Sequence, residues 1–310
     1  MIKVIKRKYA TTQSILQGVR KNGFLETFIR LFQGTIYTFT GIKFHSKKTK
    51  RNFLQFEFRI VEHCNLNCKG CCTFAPLATE NYLSMESIEK DLLLIKNLNK
   101  NDIVKIIKIS GGEPLLHPDL LSIINLTRNF FPSLEYLDLI TNGLLLLNMG
   151  EGFWETLVKN KVRLLITKYP NLSYENVTKK VKETGLRFQF LNYENEDKKM
   201  WKYNINLKGT ENHKKQFTRC SLGNKCMEIK NGKFYTCVFP AHVHNFNTYF
   251  EQNIPITQKD YLNIDAVKSI DEILAFAKKP MPICRFCNSQ IESEADIPWE
   301  KSKREMSEWV

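Results

Sequence analysis

Between residues 53 and 191 the apolar positions alternate between two periods. Residues 53–61 (Phe-Leu-Gln-Phe-Glu-Phe-Arg-Ile-Val), Ile103 to Ile109, Leu134 to Thr141, Val162 to Thr167 and Arg187 to Leu191 are short apolar runs of strand character. Segments of helical period separate them. Residues 85–98 place Met85, Ile88, Leu92, Ile95 and Leu98 at helical spacing, with Ser84 as the N-cap. A second helix is predicted over 118–130, with Pro118 in its first turn. Residues 151–160 predict a third, and 174–184 a fourth that Gly185 ends. Strands alternating with helices imply parallel βα units, in an open sheet or a barrel. Such folds bind ligands at the carboxyl ends of their strands.

Past residue 210 the pattern changes. Met227 to Cys237 reads as a hairpin, with Asn231-Gly232 supplying the positive φ of a tight turn. Residues 270–278 predict a short helix, and Ser269 with Glu272 fits a capping box. Pro280 to Cys287 predicts a loop carrying two thiols. Residues 192–215 are polar and are the expected domain junction, with Tyr193 to Asp197 a solvated turn. Three segments follow: an arm over 1–51, a βα region over 52–210 and a cysteine-rich region over 211–310.

Charge sharpens the division. The 310 residues carry +14, which suggests a nucleic-acid or anionic-surface binder. Residues 1–51, however, hold 12 of the 46 Lys and Arg and a single acid, Glu26, so the arm carries +11 and the remainder only +3. Phe24-Leu25, Phe28-Ile29 and Leu31-Phe32 give the arm a partial apolar stripe. It suits an anionic membrane surface, docking on the barrel, or an acidic or phosphorylated partner. No recognised nucleic-acid motif accompanies the charge, so nucleic acid is disfavoured. No run reaches the ~18 to 20 apolar residues of a membrane span, and residues 1–8 have no apolar core of signal-peptide length. The expected location is the cytoplasm, with the arm able to hold the protein at a membrane periphery.

Nine cysteines in such a chain point to metal or redox chemistry. Cys64-Asn-Leu-Asn-Cys68-Lys-Gly-Cys71 directly follows the first strand. Three thiolates on one loop suit a soft metal or an iron–sulfur cluster. They are too few for a closed tetrahedral site and would leave a coordination position open. Ser110-Gly111-Gly112-Glu113-Pro114 follows the second strand and Thr141-Asn142-Gly143 the third. Two glycines let a backbone approach a ligand, and a carboxylate can pair with an ammonium.

With these motifs the sequence resembles the radical S-adenosylmethionine (SAM) enzymes over roughly residues 53–200. The resemblance implies an α/β fold, a partial (βα)6 barrel. It implies a 4Fe–4S cluster on Cys64, Cys68 and Cys71, whose fourth iron binds the cofactor's amino and carboxylate groups. Gly111, Gly112 and Glu113 correspond to the Gly-Gly-Glu motif that contacts the cofactor's methionine amino group. One position departs from the family. The aromatic residue that usually precedes the third cysteine and meets the adenine is Gly70 here, and Phe74 is the nearby aromatic that could substitute. Cys72 reads as a small buried residue or as a hydrogen-atom donor.

The remaining cysteines resemble the auxiliary-cluster region called twitch, a short form of the SPASM extension. Cys220, then Gly232 and Cys237, then Cys284-Arg-Phe-Cys287 supply four thiolates for a second 4Fe–4S cluster, in a small β-hairpin/helix domain. Cys226 lies too close to Cys237 for the family spacing and is left as a spare thiol or hydrogen donor. Four cysteines at such spacing also suit structural zinc. Ala241-His242-Val243-His244 reads as a surface loop rather than a metal pair, and Phe246 to Phe250 as packing.

The resemblance implies reductive cofactor cleavage to a 5′-deoxyadenosyl radical and hydrogen abstraction from a small-molecule or peptide substrate. An electron donor of flavodoxin or ferredoxin type is implied. The block from His63 to Ala78 resembles uncharacterised radical proteins linked to surface-polysaccharide synthesis, which favours a sugar or nucleotide sugar and an oxidation or epimerisation. The alternative substrate is a peptide, as in maturases of ribosomal peptides. From another class, a zinc-stabilised, non-catalytic nucleic-acid-binding protein is the alternative.

Overall fold

Phe56, Phe58 and Ile60 alternate with Glu57 and Arg59 along the first strand, so one face is apolar and the other charged. The computed structural model describes residues 54–170, 172–191, 199–201, 204–220, 227–288 and 296–310. The basic arm, Tyr193 to Asp197 and Cys226 lie outside the described residues.

The described chain runs β1 (Leu54–Arg59), α1 (Met85–Leu98), β2 (Val104–Ser110), α2 (Leu120–Phe130), β3 (Tyr136–Thr141), α3 (Glu151–Lys159), β4 (Val162–Thr167), α4 (Glu175–Glu183) and β5 (Arg187–Leu191). It continues with β6 (Lys199–Trp201), α5 (His213–Arg219), β7 (Glu228–Lys230), β8 (Lys233–Tyr235), α6 (Val238–Phe250), β9 (Leu262–Asn263), α7 (Ile270–Ala277) and β10 (Asp296–Pro298). The sheet order is β5-β4-β3-β2-β1-β7-β8-β9. Strands β1 to β5 are parallel, in the expected partial-barrel βα arrangement. The sixth adjacent parallel strand is β7, so the cysteine-rich hairpin extends the barrel sheet beside β1.

Local chemistry sets these elements. Ser84 Oγ accepts the Ser87 amide at 3.2 Å and starts α1. Gly185, at φ 70°, follows α4, and Asn231 and Gly232, at φ 51° and 73°, turn the β7–β8 hairpin. Three expectations fail. Pro118 precedes α2, whose N-cap is Asp119. Ser269 caps α7 without a side-chain bond, and Glu272 takes the Lys268 amide rather than that of Ser269, so the capping box is absent. The thiol loop at 280–287 contains a 3-10 turn over Pro282–Phe286.

The helix-facing side of the sheet is the main core, built on Phe56, Ile107, Leu137, Leu164 and Ile229 among others. The opposite side is charged. Glu228, Glu57, Lys108, Asp138, Arg163 and Arg187 stand opposite one another in successive strands, one rank across six strands. Arg163 holds Asp138 through two bonds of 2.8 Å and covers the Tyr136 ring at 3.8 Å. Parallel strands buried on both faces are usually apolar throughout. This inner face is therefore built for polar contents.

A second core joins the C-terminal part to the loop after β1. Phe74 is fully buried, with ring centroids 6.1 Å from Phe239, 5.6 Å from Phe246 and 6.1 Å from Trp309. Phe74 is thus core packing and not an exposed platform for adenine, which corrects the expectation. Phe246 and Phe250 pack here as expected.

Candidate functional site

The three-cysteine loop leaves the carboxyl end of β1. Gly70 has φ 63°, in the left-handed region, where the usual aromatic residue is strained. Leu66 N–H donates to Cys64 Sγ at 3.4 Å, and Asn142 Nδ2 lies 3.8 Å from it. Trp299 Nε1–H donates to Cys68 Sγ at 3.3 Å, and the Tyr169 ring packs on the Trp299 ring beside it. Cys71 Sγ is 3.3 Å from Thr73 Oγ1. Burial pushes the Cys64 thiol up to about 11, with the charges of Glu113 and Cys71 adding to it. Burial likewise pushes Cys68 up to about 12, helped by Cys71 and Cys64. A bound soft cation would favour the thiolate forms of Cys64 and Cys68 against this burial.

The Gly111–Glu113 loop packs against this segment. Gly112 N–H donates to Val61 O at 2.7 Å and Glu113 N–H to His63 O at 3.1 Å. A Cβ on Gly112 would sit 1.9 Å from His63 O, and one on Gly111 2.7 Å from Val61 O. The glycines therefore serve close approach to the cysteine loop itself. The Glu113 carboxylate is fully buried. It accepts from Leu115 N–H at 3.1 Å, Thr141 Oγ1 at 2.7 Å and Asn142 N–H at 2.8 Å. Burial pushes Glu113 up to about 7 against these three bonds. Asn142 joins the two loops, since its Nδ2 also donates to Asn65 Oδ1 at 2.8 Å. The Thr141-Asn142-Gly143 turn, a faint sequence signal, is thus a structural part of the site.

A buried charged cluster ties the hairpin and α6 to the same loop. Arg59 pairs with Glu57 at 2.8 Å and Glu228 at 3.3 Å. His242 bridges Glu228 at 2.7 Å and Glu62 at 3.2 Å, and Glu62 also pairs with Lys230. Burial alone would raise Glu62, but His242 and Lys230 outweigh it and hold it well below the usual carboxylate range. His242 is 1% exposed within α6, so the expected surface loop at 241–244 is a helical turn, buried over Ala241, His242 and Val243 and exposed at His244. Neither its helix nor its partners showed in the sequence.

The second set of thiols comes together. Cys220 ends α5, Cys237 precedes α6, and Cys284 and Cys287 flank the end of the 3-10 turn. All four line one cavity with Gln216, Phe217, Phe239, Pro240, Met281 and Ile283. Burial pushes Cys284 up to about 12, and Cys220 adds to it. Among the described residues no three His, Cys, Asp or Glu side chains converge as they would on a single metal ion. Cys72 is half-buried at the edge of the second core. Among the described residues no helix is long and apolar enough to cross a membrane.

The GTP 3',8-cyclase of Sulfurovum sp. (strain NBC37-1) is 37% identical over 90 residues, 28% of this chain and 26% of that protein. The S-adenosylmethionine-dependent nucleotide dehydratase of Selenomonas ruminantium is 36% identical over 89 residues, 29% of this chain and 30% of that protein. The chain therefore spans less than a third of either relative. The solved structure of anSMEcpe with bound AdoMet is 15% identical with a TM-score of 0.49, over 80% of this chain and 93% of that chain. The Radical SAM superfamily model matches residues 58–185, from β1 through α4, and so takes in the three-cysteine loop and the Gly111–Glu113 loop just described. Over residues 58–185 the chain is similar to the Radical SAM superfamily.

Proposed function

We propose that this chain is a radical SAM enzyme with two 4Fe–4S clusters, acting on a nucleotide or nucleotide sugar. One observation carries the reading: the thiols fall into two separate sets. Three lie on the loop after β1, beside the Gly111–Glu113 and Asn142 loops, and four line one cavity. Soft donors with N–H and O–H groups at their sulfurs suit iron–sulfur ligation.

Cys64, Cys68 and Cys71 would hold the first cluster, with one iron left for SAM. Reduced in that state, the pair supplies a 5′-deoxyadenosyl radical. The protein's own work is positional. A carboxylate offers about four acceptor sites. Glu113 uses three on neutral donors, and among the described residues no cation pairs with it. An ammonium at the fourth would hold it ionised, which fits the cofactor's amino group. Cys220, Cys237, Cys284 and Cys287 would hold the second cluster, closed to substrate and suited to electron transfer.

The substrate class rests on two supports. The charged inner face of the sheet suits a polar molecule, with Arg59 at the carboxyl end of β1. The two relatives named above carry nucleotides in their names. Oxidation or epimerisation of the sugar is the reaction proposed, with a flavodoxin or ferredoxin as electron source.

Anaerobic purification tests the reading. About eight irons per chain with matching sulfide, and methionine release on reduction with SAM, are expected. Zinc without sulfide would overturn it. Cys284→Ala should remove about half the iron and spare the SAM-responsive cluster. Unchanged iron would refute the second site. Turnover of a peptide but not of nucleotide sugars would redirect the substrate assignment.

A further inference from the structure

The C-terminal segment lies against the three-cysteine loop along its length. Lys69 N–H donates to Glu300 O at 2.9 Å and Ser302 N–H to Asn67 O at 2.8 Å, with Cys68 bridged to Lys301 between them. Lys69 Nζ also reaches Glu300 Oε2 at 2.7 Å. Farther on, Trp309 Nε1–H donates to Cys71 O at 2.9 Å, and its ring is fully buried against Phe74, Phe246 and Phe250. The segment is thereby fixed at 300–302 and at 309. Trp299 stands immediately before the first of these anchors, with its indole N–H aimed at the sulfur of Cys68.

We propose that Trp299, which donates to the Cys68 sulfur, and Tyr169, which packs on the Trp299 ring, are positioning residues that set the reduction potential of the first cluster through donors held at that sulfur. Their rings pack at 6.0 Å and 59°, so the two rings support each other. The inference rests on the iron–sulfur reading of Cys64, Cys68 and Cys71. Its physics is simple. Reduction adds an electron that the cluster shares with its sulfurs. Cys68 is buried, at 6% exposure, so water does little to stabilise that charge. An N–H or O–H donor does so instead and raises the potential. An alanine at 299 would admit water and blur the sign. Phenylalanine keeps a six-membered aromatic ring in the site and removes the N–H with the pyrrole half, whereas Tyr169→Phe keeps its ring and removes only the hydroxyl.

The experiment is a redox titration of anaerobically prepared full-length protein, followed by electron paramagnetic resonance with and without SAM. The signal that changes on adding SAM reports the first cluster. Trp299→Phe should shift the midpoint of that signal to a more negative potential and leave the other signal where it was. Tyr169→Phe should act in the same direction. Deuterium exchange should also remove a proton coupling from the reduced wild-type cluster that Trp299→Phe lacks. If Trp299→Phe fails to retain the first cluster, Tyr169→Phe decides, because it leaves the C-terminal segment in place. Wild-type potentials in the loaded variants would overturn the inference alone. A wild-type protein that holds no iron–sulfur cluster would overturn the underlying reading as well.

Discussion

Gly112 has no room for a side chain. An added Cβ would stand 1.9 Å from His63 O, 2.3 Å from His63 C and 3.0 Å from Cys64 N, all backbone atoms that cannot swing aside. Two amide bonds, from Gly112 to Val61 and from Glu113 to His63, hold the loops at that separation. Gly112→Ala must therefore pry the Gly-Gly-Glu loop off the cysteine loop. It should cost about 3 kcal/mol or more by denaturant unfolding, at the upper end for overpacked sites. It should also lower iron retention at the first site, read by iron and sulfide analysis. Wild-type stability with full iron would show that the two loops are not clamped as described.

At the scale of elements, the β7–β8 hairpin isolates a backbone effect from a packing effect. Gly232 has φ 73°, and nothing lies within 4 Å of a Cβ built on it. Gly232→Ala should lower stability by about 1 kcal/mol through left-handed strain alone. Iron content should not change, since the turn lies at the far end of β8 from Cys237. Loss of half the iron would instead make the turn part of the second site. The hairpin was legible in the sequence because Asn231-Gly232 acts through its own dihedrals. The same holds for β4, β5 and α1, whose residues repeat at their own period. Helix α6 was not legible. Pro240 and the close-set His and Phe residues mask its period, and His242 is held by Glu62, 180 positions away. Trp299 lies 231 positions from Cys68. Of the candidate site, the Cys64, Cys68 and Cys71 motif could be read because its spacing is local. The groups that hold those thiols come from distant strands and the C-terminus.

At the scale of the molecule, His242 joins three parts of the fold: the residues before Cys64, strand β7 and helix α6. The groups facing it are Glu62, Glu228, Lys230 and His244. Burial would lower its pKa and Lys230 opposes its charge, but Glu228 and Glu62 outweigh both and raise it above the ordinary 6.5. A raised histidine value stabilises the fold fully below the unfolded pKa, and that contribution is lost as pH rises through the folded value. Glu62 has the opposite sense, because its lowered pKa costs stability only in acid. His244 is lowered, chiefly by burial, so it is neutral over the range where His242 loses its proton. His242→Leu leaves two buried carboxylates without the imidazolium between them. It should cost about 3 kcal/mol at about pH 6. The gap between wild type and variant should narrow from pH 6 toward about pH 9, as the wild-type ring loses its proton and keeps one donor. Urea unfolding of both proteins at the two pH values measures it. A gap that widens at high pH would mean that the imidazolium is not what balances Glu62 and Glu228, and that Arg59 and Lys230 do so between the barrel sheet and the cysteine-rich helix.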